Sequence, residues 1–284
     1  MIPANFQYAR AGSVDEAIGM LQEHGDNAKL LAGGHSLIPA MKLRLNQPSI
    51  LVDIGRIPEL RYIRNNGDHV AIGAGATHDD IAQSKAFDNG LEMYPAAAKL
   101  IGDIQVRNKG TIGGSLAHSD PSADWPAVVL ASDATIVVKG PNGERHITAN
   151  DFFTGFYETA LAEDEVITEV RVPVPASGTR SAYAKFMQPA SRFAIVGCAA
   201  MITVSGGVCS NANIGFTGVS DMAFRDSAVE EALKGKSLNS GTIEAAAALV
   251  AKDESVMSDH FASEEYRKHL ASVFANRAIS ATVG

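Results

Sequence analysis

The chain has 284 residues, 46% of them apolar and 20% charged, with 24 basic against 32 acidic side chains and a net charge of −8. That is the make-up of a soluble globular protein of one large or two modest domains. It argues against a disordered tail, and against nucleic acid or an anionic membrane surface as the main partner. Two cysteines, Cys198 and Cys209, are too few for an iron–sulfur cluster, a Cys-rich zinc site or a disulfide framework.

The opening MIPANFQYARAGS carries no basic segment followed by an apolar stretch, so no secretory signal is read there. Ser13–Glu16 fits a capping box, and Ala17, Ile18 and Leu21 continue it at helical spacing to a stop at Gly25. Residues 28–32 (AKLLA) read as a buried strand running into Gly33-Gly34, and 50–54 as a second strand. A third strand is expected at 70–73, a helix capped within Thr77–Asp80, a helix at 91–102 and a glycine-rich turn at 110–114. A short helix at 123–132, a strand at 135–139, a GPNG turn and a strand at 165–172 complete an alternating α+β pattern.

Val172-Pro-Val-Pro-Ala-Ser-Gly178 breaks both helix and strand and reads as a linker. Beyond it, 182–187, 193–204 and 208–217 are strand-like, with Ser205-Gly206-Gly207 as a hairpin turn. The uncharged run Phe193–Ser220 is interrupted by Gly, Ser and Asn, so it reads as strands and turns and not as a membrane helix. Helices are expected at 221–234, 242–252 and 263–280, the last with Tyr266, Leu270, Phe274 and Ala278 on one face. The default location is cytoplasmic.

Two glycine pairs could carry chemistry: Leu30-Leu-Ala-Gly-Gly-His-Ser-Leu37 and Lys109-Gly-Thr-Ile-Gly-Gly-Ser115. Glycine lets backbone approach a ligand closely, and successive amides can form a concave nest for an anion. Either loop alone reads as a tight turn at a strand end; the matching pair brings a diphosphate ligand level with that reading. Gly73-Ala-Gly-Ala-Thr-His78 starts like a dinucleotide fingerprint but has His78 at its sixth position, so it reads as a strand end. Asp120 and Asp124 are candidate helix caps or acceptors for sugar hydroxyls, and Trp125 is a packing residue. Lys42, Arg44, Arg107 and Lys109 flank the loops, either offsetting phosphate charge or lying in solvent. His35 is the histidine nearest a ligand, with His78 and His118 as neighbours or plain loop residues. No acyl-transfer elbow and no metal-ligand spacing is present, and Cys198 reads as an inert strand residue.

LAGGHSLIPAMKLR at 31–44 and QVRNKGTIGGSLAHSDPSADWPA at 105–127 resemble the two FAD-binding signatures of the flavin-carrying medium subunit of molybdenum hydroxylases, closest to the aerobic carbon monoxide dehydrogenase type. The resemblance runs over essentially the whole chain, including MIPANFQY, the VRVPVP junction and the Glu264–Arg267 stretch. It implies an α+β fold. A two-part FAD-binding domain of the vanillyl-alcohol oxidase type would span 1–176 (parts about 1–55 and 56–176). A C-terminal domain at 177–284 would hold a three-stranded antiparallel sheet and helices, with FAD lying between the domains.

The resemblance assigns cofactor contacts to Leu31, Ala32, Gly33, Gly34, His35, Ser36 and Leu37, and to Thr111, Ile112, Gly113, Gly114 and Ser115, with Ala32–Ser36 and Thr111–Ser115 on the diphosphate. Ser115 stands where many members have Asn, and its hydroxyl still donates. Asp124 would contact FAD, Ile167 would pack near the flavin ring, Lys185 would lie close by, and Ile101 and Phe193 would line the ring or adenine. The implied partners are a large subunit with a molybdenum cofactor and a small subunit with two [2Fe–2S] clusters, in a dimer of heterotrimers. Peripheral association of that complex with the membrane is allowed. FAD would take electrons from the clusters and pass them to an external acceptor, so no catalytic acid–base pair and no metal site is expected here. The rival substrates are aldehydes, xanthine or N-heterocycles; the rival class is a non-redox nucleotide-binding module.

Overall fold

The computed structural model describes residues 1–283. A parallel sheet comes first, with strands β1 (Gln7–Arg10), β2 (Ala28–Leu31) and β3 (Ile50–Asp53) in the order β1-β3-β2. Helix α1 (Val14–His24) is capped by the Ser13 hydroxyl, which accepts from the Glu16 amide at 3.1 Å. The Glu16 carboxylate accepts from Gly12 N, and Gly25 ends the helix at φ +52°. Val14, Ala17, Ile18 and Leu21 of α1 pack against Ile50 and Val52, the 3.6-residue repeat meeting a continuous apolar strand. Helix α2 (Leu37–Lys42) follows β2.

An antiparallel five-stranded sheet comes next. It joins β4 (Ile63–Asn65), β5 (His69–Gly73), β6 (Thr135–Gly140), β7 (Gly143–Thr148) and β10 (Val166–Pro173) in the order β4-β5-β10-β6-β7. Its helices are α3 (His78–Gln83), α4 (Met93–Leu100), α5 (Ile104–Arg107), α6 (Ile112–His118), α7 (Asp124–Ala131) and α8 (Ala149–Phe152), and a small hairpin, β8 (Phe153–Gly155) and β9 (Glu158–Thr159), projects from it. Thr77 caps α3 with a complete capping box to Asp80. The turn expected at 110–114 is the start of α6: Thr111 is its N-cap, and Gly113 and Gly114 lie inside its first turn. Helix periodicity was masked there because the first turn holds small residues in place of apolar ones.

The third sheet is antiparallel, β11 (Thr179–Met187), β12 (Ala194–Ser205), β13 (Val208–Thr217) and β14 (Phe224–Arg225), in chain order. The three long strands are those expected; the two-residue β14 is an addition and takes the place of the start of the helix read at 221–234, which begins at Ser227. Helices α9 (Ser227–Leu233), α10 (Ser240–Ala247) and α11 (Glu264–Val283) cover one face. Leu270, Phe274 and Ala278 of α11 are buried as its spacing requires, but Tyr266 is exposed, its ring edge-on to Phe186.

Helix α7 ties the halves together. Every one of its residues is buried, as befits a helix apolar all round. A Cβ at Gly215 of β13 would overlap the Ala127 carbonyl group, so the helix backbone lies directly on the strand. From the other side Arg267 of α11 is fully buried. Its guanidinium donates to the carbonyls of Ile195 (2.5 Å), Gly218 (2.6 Å) and Met257 (3.1 Å) and to Asp259 (2.9 Å). Gly218 N and the Thr217 hydroxyl in turn donate to the Pro121 carbonyl, just before α7. Arg267→Met should therefore cost about 3 kcal/mol or more by stranding buried acceptors, measurable by urea unfolding.

Candidate cofactor-binding cleft

The two glycine loops meet. A Cβ placed on Gly33 would overlap the Lys109 carbonyl oxygen and come within 2.8 Å of the Gly110 Cα. Backbone thus lies on backbone, and only glycine fits. Gly34 takes φ +72°, and the chain then turns into α2. The meeting point floors a cleft of about 1010 Å3. From the first loop Ala32, Gly33, Gly34, His35, Ser36 and Leu37 line it; from the second, Thr111, Gly113, Gly114 and Ser115. Ile101, Asp124, Ile167 and Phe193 line it as well, so fourteen of the seventeen expected positions converge on one space. Phe193 is an exposed rim residue, while Ile167 and Asp124 are buried in the wall.

Three expected positions stand behind the lining. Leu31 ends β2, with its side chain beneath Gly34. Ile112 is sealed in the core. Lys185 on β11 has no exposed side-chain surface, and its ammonium donates to Asp124 Oδ2 at 2.8 Å and to the Leu100 carbonyl at 3.2 Å. Asp124 Oδ1 accepts from the Tyr183 hydroxyl at 2.5 Å. Asp124 is therefore no helix cap: Ala123 holds the N-cap position, and the carboxylate is committed to β11. Burial raises the Asp124 carboxyl against the pull of Lys185 and Tyr183, and the same burial holds the Tyr183 phenol well above its ordinary value.

The loops differ in what they offer. Among the described residues the backbone amides of Gly33, Gly34, His35, Ser36 and Leu37 donate to nothing, and the Ser36 hydroxyl makes no capping bond. In the second loop the amides of residues 112–115 are taken: Ile112 N by Ala76 O, Gly113 N by Ala74 O, Gly114 N by the Thr111 hydroxyl and Ser115 N by Thr111 O. The first loop thus has the free amides that an anion nest requires, while the second offers hydroxyls and a closely approaching backbone.

The flanking cations do other work. Arg107 donates to the carbonyls of Ile101 and Gly102, and Arg192, from beyond the linker, also donates to Gly102 O. Arg44 reaches the Ile2 carbonyl. Lys42 lies in solvent, and Lys109 and Arg192 line the cleft. His78, expected as a neighbour of the ligand or a plain loop residue, is buried in the cleft wall against Trp125. His118 lines the cleft near Tyr157, their rings 5.1 Å apart. Both thiols are buried; burial pushes Cys198 and Cys209 up, which leaves them inert.

The wide cleft, floored by five free amides and lined by residues within 21–167 and by 191–193 from beyond the linker, has the size and the donors for a large anionic cofactor. Residues 4–175 match the FAD binding domain in molybdopterin dehydrogenase, and residues 181–282 the CO dehydrogenase flavoprotein C-terminal domain. The chain is 43% identical over 281 residues to the carbon monoxide dehydrogenase medium chain of Hydrogenophaga pseudoflava, covering 99% of this chain and 98% of that one. It is 36% identical to the nicotine 6-hydroxylase medium subunit of Paenarthrobacter nicotinovorans, covering 98% and 97%. Its fold superposes on carbon monoxide dehydrogenase from H. pseudoflava with a TM-score of 0.96 at 44% identity, covering 100% and 99%. It superposes on quinoline 2-oxidoreductase from Pseudomonas putida 86 with 0.93 at 30%, covering 99% and 98%. The chain belongs to the family of FAD-binding medium subunits of carbon monoxide dehydrogenase-type molybdenum hydroxylases, and its cofactor is FAD.

Proposed function

We propose that this chain is the electron-transfer subunit of a molybdenum hydroxylase, most closely of the aerobic carbon monoxide dehydrogenase type. It would take electrons from the [2Fe–2S] clusters of a small subunit and pass them to an external acceptor, while a large subunit with the molybdenum cofactor oxidises the substrate. The observation that carries this is the nest of free amides at Gly33–Leu37, built against the second glycine loop in a chain with only two cysteines, both buried. The full-length relationship to a carbon monoxide dehydrogenase medium chain favours that substrate. Relatives named for nicotine and caffeine keep an N-heterocycle complex as the second reading. We place the domain boundary between 176 and 177, the two parts of the first domain near 55, and the working assembly as a cytoplasmic dimer of heterotrimers.

Bound FAD supplies a redox centre that exchanges electrons singly or in pairs. The Gly33–Leu37 amides hold the diphosphate, and Ser36, Thr111 and Ser115 offer hydroxyls to it. Ile101, Ile167 and Phe193 exclude water along the rings. Asp124 and Lys185 fix β11 against α7 and so hold Asp124 in the cleft wall.

The chain loaded with FAD should be bleached by dithionite. Carbon monoxide, aldehydes and N-heterocycles should leave it oxidised until the molybdenum and iron–sulfur subunits are added, as read by stopped-flow absorbance. Rapid flavin reduction by any of these substrates, with no molybdenum or iron present, would put a substrate site on this polypeptide and overturn the reading.

A further inference from the structure

His78 begins α3, and its amide is tied to the second glycine loop by a hydrogen bond to the Gly110 carbonyl at 3.0 Å. Its ring is held from behind: Trp125 Nε1 donates to His78 Nδ1 at 3.0 Å. Indole N–H can only donate, so Nδ1 must be the acceptor and the ring proton sits on Nε2. Burial, with His35 and Arg107 nearby, pushes the His78 pKa down to about 3, so the ring is neutral and carries that single proton.

Among the described residues Nε2 has no hydrogen-bond partner. Among the described residues no sealed side-chain nitrogen or oxygen lacks one, so Nε2 is open to the cleft that His78 lines, although only 5% of the residue is exposed. Its position is specific. A Cβ at Gly110 would lie 2.6 Å from Nε2, and a Cβ at Gly33 would lie 2.8 Å from the Gly110 Cα. Gly33, Gly110 and the imidazole edge are therefore stacked in succession. Gly110 thus adjoins both the imidazole edge and Gly33, and His78 lines the same cleft as Gly33–Leu37.

We propose that His78 is a cofactor-binding residue, donating Nε2–H to an oxygen of the bound diphosphate and fixed for that task by Trp125. It supplies a neutral donor where residues 112–115 of the second loop have spent their amides internally. The role rests on the reading of the Gly33–Leu37 loop as the diphosphate nest.

The test uses the full chain, stripped of flavin, with 15N-labelled histidine. FAD, and separately ADP, should shift the Nε2 resonance of His78 and leave Nδ1 nearly in place. In calorimetric titrations His78→Gln, which keeps a donor close to Nε2, should bind FAD much as the parent does, and His78→Leu should bind it about tenfold more weakly or worse. An unmoved Nε2 resonance at saturating FAD overturns the proposal, and needs no variant to fold. So does His78→Leu binding FAD at full affinity. A shift caused by riboflavin and not by ADP overturns the assignment to the diphosphate. Failure of the unsubstituted chain to bind FAD would instead bring down the reading of the nest itself, and the His78 role with it.

Discussion

Gly33→Val should abolish FAD uptake. A Cβ at this position overlaps the Lys109 carbonyl oxygen and approaches its carbonyl carbon to 2.7 Å. Both atoms are backbone, so no side chain can swing away. The first loop would have to retreat from the second, and the five free amides would lose their alignment on a common anion. A β-branched residue adds rotamer crowding in a place with no volume to give. Helix α1 and the parallel sheet pack elsewhere, through Ile18, Leu21 and Val52, so the chain should still fold. The measurement is flavin per folded chain after reconstitution, with circular dichroism as the folding control. Gly114→Val should be milder in comparison, since the Cβ there meets only the Thr111 hydroxyl at 2.9 Å. Equal, full occupancy in both variants would show that the loops do not share one ligand.

Lys185→Met should destabilise the flavin-free chain by about 3–5 kcal/mol, because it leaves the Asp124 carboxylate buried without its cation. Lys185 has no exposed side-chain surface, Asp124 only 5%, and their contact is 2.8 Å. Adding Asp124→Asn to that variant removes the stranded charge and should restore a large share of the loss, because a neutral amide can still accept from Tyr183. Chemical denaturation of the two single variants and the double variant gives the coupling directly. Additive losses in the double variant would mean that the pair does not act as a unit. The pair joins α7 to β11, so FAD affinity should fall along with stability.

Much of this was legible from residues alone. Capping at Ser13 and Thr77, the strand leading into Gly33 and the hairpin at Ser205–Gly207 all follow from local chemistry, and the structure repeats them. The convergence of the two glycine loops required the family resemblance, because nothing in local spacing says that residue 33 touches residue 109. Three things were hidden for physical reasons. The first turn of α6 has glycine where periodicity looks for apolar residues, so it reads as a turn. The division of labour between the loops depends on amides of 112 and 113 pairing with Ala76 and Ala74, which are distant in sequence. Asp124 reads as a cap because it opens a helix, yet its charge is neutralised from β11, some sixty residues later. An acidic residue at a helix start beside an apolar Trp-Pro-Ala run was the available signal, since a cap in water does not need so dry a setting.

Amide hydrogen exchange, resolved to single residues and followed with and without FAD, tests the central claim most directly. Five amides with no partner, Gly33 through Leu37, should exchange fast in the flavin-free chain and slow by about tenfold or more when FAD binds. Ile112, Gly113, Gly114 and Ser115, already bonded within the protein, should be protected in both states. Exchange at Gly33–Leu37 that stays unchanged at saturating FAD, or protection that arises at 112–115 instead, would contradict the account.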